Sequence, residues 1–135
     1  MKKVWMVAVL CGATMLCGMT LNSEAASART RCRVRDGRVR IQIDGFGLTR
    51  GIYIAQVRNL TTGARAVTED GKDVEVTARA AEVDFDFDST AQPDDFDSFI
   101  RPNFARPGAS IRAAIIKIDT TPRRAVAAAS TTCLR

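Results

Sequence analysis

The sequence predicts an all-β domain folded as an antiparallel β-sandwich of about seven or eight short strands, and three observations point there. Short runs of apolar and polar alternation recur between Cys32 and Cys133, the signature of half-buried strands. Turn signals separate those runs at strand-length intervals: Asp36-Gly37, the stretch Asn59 to Gly63, and Asp70-Gly71. Helical spacing occurs in one place, over too few residues for more than a turn or two.

The first hairpin is the clearest element. Arg33-Val34-Arg35-Asp36-Gly37-Arg38-Val39-Arg40 sets an Asp-Gly pair between two alternating runs, and Asp-Gly suits a two-residue type I′ turn because both positions need positive φ. Such a turn dictates the register: Arg35 opposite Arg38, Val34 opposite Val39, Arg33 opposite Arg40 and Cys32 opposite Ile41. One face of the hairpin then carries Cys32, Val34, Val39, Ile41 and Ile43. The other carries Arg31, Arg33, Arg35, Arg38 and Arg40.

Ile52 to Asn59 reads as a third strand, which the stretch from Asn59 to Gly63 turns towards Ala66 and Val67. After the Asp70-Gly71 turn, Val74, Val76 and Ala78 alternate with Glu75, Thr77 and Arg79. A later run sets Val83, Phe85 and Phe87 against Asp84, Asp86 and Asp88. The parity of the apolar set switches between them, so a bulge or turn belongs at Ala80-Ala81. Over residues 94–101 the spacing of Phe96, Phe99 and Ile100, with Asp94 as a cap and Pro102 as a stop, predicts one short helical turn. Phe104 would join it in closing one end of the sandwich. Ser110 to Asp119 and Arg124 to Cys133 supply the last two strands. The arrangement resembles an immunoglobulin-like sandwich in size and rhythm, without the cysteine-tryptophan-cysteine core of true immunoglobulin domains.

The N-terminus has the three-part layout of a cleaved secretory signal: Lys2 and Lys3, an apolar stretch from Val4 to Met19, then a polar stretch holding Ser23, Ala25, Ala26 and Ala28. Small residues are wanted three positions and one position before the cut, so cleavage after Ala25 or after Ala28 both fit. The expected division is a signal over residues 1–28 and a single domain over 29–135. The apolar stretch falls short of the roughly 20 residues that span a bilayer, so no transmembrane anchor is expected in the mature chain. Cys11 and Cys17 follow Leu10 and Leu16, where bacterial lipoprotein signals have a small residue, which argues against lipid attachment. Export to a periplasmic or extracellular space follows, and with it a disulfide between the two remaining cysteines, Cys32 and Cys133.

Composition narrows the chemistry. The chain has 135 residues with 20 Lys plus Arg against 15 Asp plus Glu; Lys2, Lys3 and Glu24 lie in the leader, leaving a net charge of +4 on the domain. That surplus does not single out nucleic acid, and none is expected as a partner. No histidine is present, which removes the commonest general base and metal ligand and every Ser-His-Asp or Cys-His arrangement. With both cysteines oxidised no thiol nucleophile remains, so no enzyme activity is expected and no catalytic residue is assigned. A hydrolase using paired aspartates is the one catalytic alternative, and the domain lacks the aromatic platforms that sugar sites use.

Two charged constellations remain. Asp84-Phe85-Asp86-Phe87-Asp88-Ser89, with Asp95 at the twelfth position counting Asp84 as the first, nearly reproduces the spacing of an EF-hand loop. Ser89 stands where glycine is needed, Asp95 replaces the long glutamate, Pro93 interrupts the loop and no helix precedes it. A looser site formed by Asp88, Asp94, Asp95 and Asp97 would take calcium, the one cofactor this stretch suits. The second constellation is the arginine face of Arg31, Arg33, Arg35, Arg38 and Arg40. Like charges directly across a strand pair are unfavourable, so ordinary solvation by water and salt, the Asp84, Asp86 and Asp88 ladder, or an external anion should offset them. The external partner would be an anionic surface or another exported protein, recognised by the planar guanidinium fork. Together these features describe an exported, non-enzymatic β-sandwich module, structural or partner-binding, with a calcium-dependent domain as the alternative.

Overall fold

The computed structural model describes residues 25–79 and 81–135. The leader expected over residues 1–28 lies outside them as far as residue 24, as does Ala80.

The described residues form nine strands in two sheets and contain no helix. The first sheet has the order β1 (Ser27–Arg35), β2 (Arg38–Leu48), β6 (Ala81–Asp88), β7 (Ser98–Phe99). In the second the order is β4 (Arg65–Val67), β3 (Gly51–Asn59), β8 (Ser110–Lys117), β9 (Arg124–Thr132), with β5 (Val74–Val76) also paired to β3. This is the β-sandwich the alternation predicts.

The opening hairpin has the register that its turn demands. Arg35 pairs with Arg38, Val34 with Val39, Arg33 with Arg40 and Cys32 with Ile41. Asp36 and Gly37 take φ of 51° and 75°, the positive values that a type I′ turn requires. Cys32, Val34, Val39, Ile41 and Ile43 are buried between the sheets. They meet Val83, Phe85 and Phe87 from β6 and Tyr53, Ala55, Val57, Ile111, Ala113 and Ile115 from the second sheet in one apolar cluster. Each fully buried large side chain is worth about 1.5–3 kcal/mol relative to exposure. Gly45 is a glycine because a Cβ there would sit 2.5 Å from Ile115 Cδ1 and 2.9 Å from Val83 Cγ2. The only polar atom on Tyr53 is satisfied, its hydroxyl donating to Thr49 O at 2.7 Å.

The parity switch expected at Ala80-Ala81 is a change of sheet. β5 pairs with β3 in the second sheet, the chain bends at Ala78 and Arg79, and β6 then pairs with β2 in the first. Opposite the start of β6 the β2–β6 register shifts between Gly45 and Leu48.

The helical turn expected over residues 94–101 is not formed. Ser98–Phe99 instead makes a short parallel strand on β6, with Ser98 beside Phe87 and Phe99 beside Asp88, and Ile100 N donates to Asp88 O at 3.3 Å. A segment this short cannot nucleate a helix by itself, and here its backbone finds partners elsewhere. Phe99 N donates to the Glu69 carboxylate, Ser98 Oγ accepts from Glu69 N at 3.0 Å, and Lys72 Nζ donates to Asp97 O at 2.6 Å. A two-residue period therefore replaces the helical one: Ser98 and Ile100 are buried, Phe99 is half-exposed, and Phe96 is 99% exposed. Of the expected aromatic cluster only Ile100 and Phe104 join the core.

Cys32 and Cys133 form a disulfide, their Cα atoms 4.5 Å apart and 101 residues apart in sequence. A closed loop of this length contributes about 4.7 kcal/mol in the chain-entropy account. Backbone bonds reinforce the closure. After β9 the chain leaves the second sheet and meets β1: Leu134 N donates to Cys32 O at 3.0 Å and Val34 N to Leu134 O at 2.8 Å, in a parallel bridge.

Candidate functional site

The outer face of the first sheet collects both charged constellations. Strand alternation turns Arg29, Arg31, Arg33 and Arg35 outward on β1, all exposed. Arg38, Arg40, Gln42 and Asp44 point the same way on β2, as do Asp84, Asp86 and Asp88 on β6. Antiparallel pairing of β2 with β6 sets Arg40 beside Asp88, Gln42 beside Asp86 and Asp44 beside Asp84. The arginine face and the aspartate ladder are neighbours.

The contacts along this seam are unequal. Arg38 grips Asp88 through Nε, at 3.0 Å to Oδ1 and 3.2 Å to Oδ2, and through Nη2 to Oδ2. Thr90 adds its backbone N at 2.9 Å and its hydroxyl at 2.8 Å to the same carboxylate. The Asp88 side chain is only 2% exposed, whereas Asp84 at the other end of the ladder is exposed. Its burial follows from the neighbouring turn. Ser89 N donates to Val39 O at 2.9 Å and Val39 N to Ser89 Oγ at 2.9 Å, folding the end of β6 against β2. The Arg38 guanidinium, and then Thr90, hold the Asp88 carboxyl down to a pKa of about 2 despite the opposing effect of burial.

Arg40 reaches Asp86 Oδ1 only at 3.6 Å, and that oxygen is buried without a hydrogen bond. Arg31 donates to Asp44 Oδ2 at 3.2 Å. Asp84 stands beside Asp44, and burial, followed by the hydrogen bond and charge of Asp44, raises its pKa.

The β1 edge differs. Among the described residues Arg33 makes no ion pair, and Arg35 has only the exposed Asp36 of its own turn at 3.7 Å. Arg33, Arg35, Arg38 and Arg40, with Asp36 and Thr90, line one concavity of about 470 Å³. Arg31 stands apart from it, held to Asp44. Arg29 completes the stripe, its guanidinium 5.7 Å from the centre of the Phe46 ring. Arg29 sits at the expected boundary with the leader, and the odd-numbered arginine period is the one sequence signal that includes it.

The four aspartates considered for calcium are distributed differently. Asp88 is committed to Arg38 and Thr90. Asp94 and Asp95 are exposed on the turn after β6, where Asp95 Oδ2 accepts from Gln92 N at 2.7 Å. Asp97 is half-buried, its pKa raised by that burial and then by the charge of Asp86. Among the described residues no three acidic or cysteine side chains form a metal-holding group. Asp94 and Asp95 instead share a cleft of about 490 Å³ with Asp70, Asp73, Asp84 and Asp86, beside Lys72 and Phe96. Asp70 was legible in sequence only as a turn residue, and nothing in the sequence marked Asp73.

The outer face is therefore positively charged at the corner of β1 and the hairpin turn, neutralised along the β2–β6 seam, and acidic beyond it. No protein-family model, no curated protein and no solved structure matches the chain, so the chemistry of this face is what bears on function.

Proposed function

We propose that the chain is an exported, non-catalytic β-sandwich module that binds a phosphate-bearing anionic surface through the arginine corner of its first sheet. The observation that carries this is the inequality on the arginine face. The carboxylates beside the hairpin are taken by Arg38, Arg40 and Arg31, while Arg33 and Arg35 line a concavity with no carboxylate but the solvated Asp36. Cross-strand pairs of like charge cost some tenths of a kcal/mol each, and among the described residues no carboxylate pairs with Arg33 to offset the cost. Guanidinium groups in this number bind phosphate oxygens in forked pairs, which lysine does not do equally well.

Export is supported by the layout of the leader and by the disulfide, which persists in an oxidising space such as a periplasm or the cell exterior. No helix of the described residues is long and apolar enough to cross a membrane. The non-catalytic part of the proposal rests on a chain without histidine whose Cys32 and Cys133 are paired.

The test is co-sedimentation of the exported protein with vesicles of phosphatidylglycerol and phosphatidylcholine mixed, against phosphatidylcholine alone. Binding is expected only to the anionic vesicles, and it should weaken steeply between low and physiological salt as the surface is screened. Equal binding to both vesicles, or no binding to either at low salt, would contradict the proposal.

A further inference from the structure

We infer that the leader is removed by hydrolysis of the Ala25–Ala26 peptide bond and not of the Ala28–Arg29 bond. This rests on the export proposed above and goes beyond it by naming the processing site. Water is the co-reactant: its hydroxyl ends on the Ala25 carbonyl carbon and a proton on the Ala26 nitrogen, leaving a carboxylate and a new α-ammonium. The agent would be a membrane-bound endopeptidase that reads small side chains three positions and one position before the cut.

By that rule alone the two bonds are equivalent, since Ser23 with Ala25 and Ala26 with Ala28 both qualify. The fold separates them. β1 begins at Ser27, which pairs with Phe46, and Ala28 pairs with Gly45. Ala26 and Ala28 are partly buried against the core, whereas Ala25 is exposed and precedes the strand. Gly45, opposite Ala28, lies on the buried face under Ile115 and Val83. Phe46, opposite Ser27, carries the Arg29 guanidinium on its ring. A cut after Ala28 would strip two residue pairs from the β1–β2 ladder and two alanines from the edge of the core. A cut after Ala25 leaves both of those residue pairs and both alanines in place.

The experiment is the intact mass of the full-length gene product after expression in a host that exports it, with Ala25→Leu and Ala28→Leu variants run alongside. The exported chain is expected to begin at Ala26, Ala25→Leu to lose that processing, and Ala28→Leu to keep it. A chain beginning at Arg29, or loss of processing in Ala28→Leu alone, would overturn the inference and leave export standing. A chain that still begins at Met1 would overturn the inference, and its retention inside the cell would overturn export as well. Mass is read on total protein, so a variant that folds poorly still reports where it was cut.

Discussion

Arg38 and Arg33 occupy the same face of the same hairpin, yet their surroundings differ. Arg38 lies on β2, whose other neighbour is β6, and its charge meets Asp88 across that pairing. Arg33 lies on β1, the edge of the sheet, where its neighbours are Arg40 across the ladder and the backbone of Leu134 beside it. An arginine inside the sheet becomes part of the structure because a carboxylate is delivered to it from 50 residues away. Arg33, on the edge, receives no such partner among the described residues and stays available to solvent or to a ligand, whereas Arg31 on the same strand is held by Asp44. Residue type and strand period set which way both point; the order of strands sets what each can do.

The largest expected effect is on the seam. Asp88→Ala should cost about 2–4 kcal/mol in chemical denaturation, because Arg38 and the Thr90 donors lose a desolvated carboxylate together. A cost below about 0.5 kcal/mol would erase the distinction between seam and edge. Acid should act on the same group. The Asp88 pKa is lowered from 3.8 to about 2, so its contribution is complete above the unfolded value and fades as pH falls from about 4 through about 2. A shift of that size corresponds to roughly 2 kcal/mol. The slope of stability against pH over that interval should flatten in Asp88→Asn, and an unchanged slope would assign acid sensitivity to other groups.

Arg38→Ser should lower the thermal midpoint, whereas Arg33→Ser should leave stability within about 0.5 kcal/mol, as for an ordinary surface substitution. Equal losses in the two would break the comparison. The smallest effect is expected at the acidic end of the seam. Asp84 has its pKa raised by burial and by Asp44, so its ionised form opposes folding at neutral pH and ceases to do so once protonated. Asp84→Asn should therefore stabilise by some tenths of a kcal/mol at pH 7 and by nothing in acid, read from paired melting curves.

Much of the first sheet was legible in local sequence. Asp36-Gly37 carries the turn type, the turn carries the register, and the register assigns Cys32, Val34, Val39, Ile41 and Ile43 to the core. The disulfide was legible too, since the expected leader takes Cys11 and Cys17 and leaves only Cys32 and Cys133. Asp88 was not, because its burial depends on Ser89 and Thr90 folding back on β2, a contact made across 50 residues. The helical spacing of Phe96, Phe99 and Ile100 misled for the same reason. Glu69, Lys72 and the edge of β6 hold that backbone as strand and turn, and none of them is near it in sequence. The split of the arginine face likewise required the β2–β6 adjacency. From the sequence alone three explanations, solvation, internal ladder and external anion, stood as alternatives; in the fold the ladder accounts for Arg38 and, more weakly, Arg40, and the external anion is proposed for Arg33 and Arg35.

That division is tested most directly by the affinity of an Arg33→Ser/Arg35→Ser double variant for phosphatidylglycerol-containing vesicles, measured on protein whose melting midpoint matches the parent. At about 1 kcal/mol for each arginine near an anionic surface, binding should weaken by about 30-fold. Unchanged affinity in the folded double variant would contradict the account.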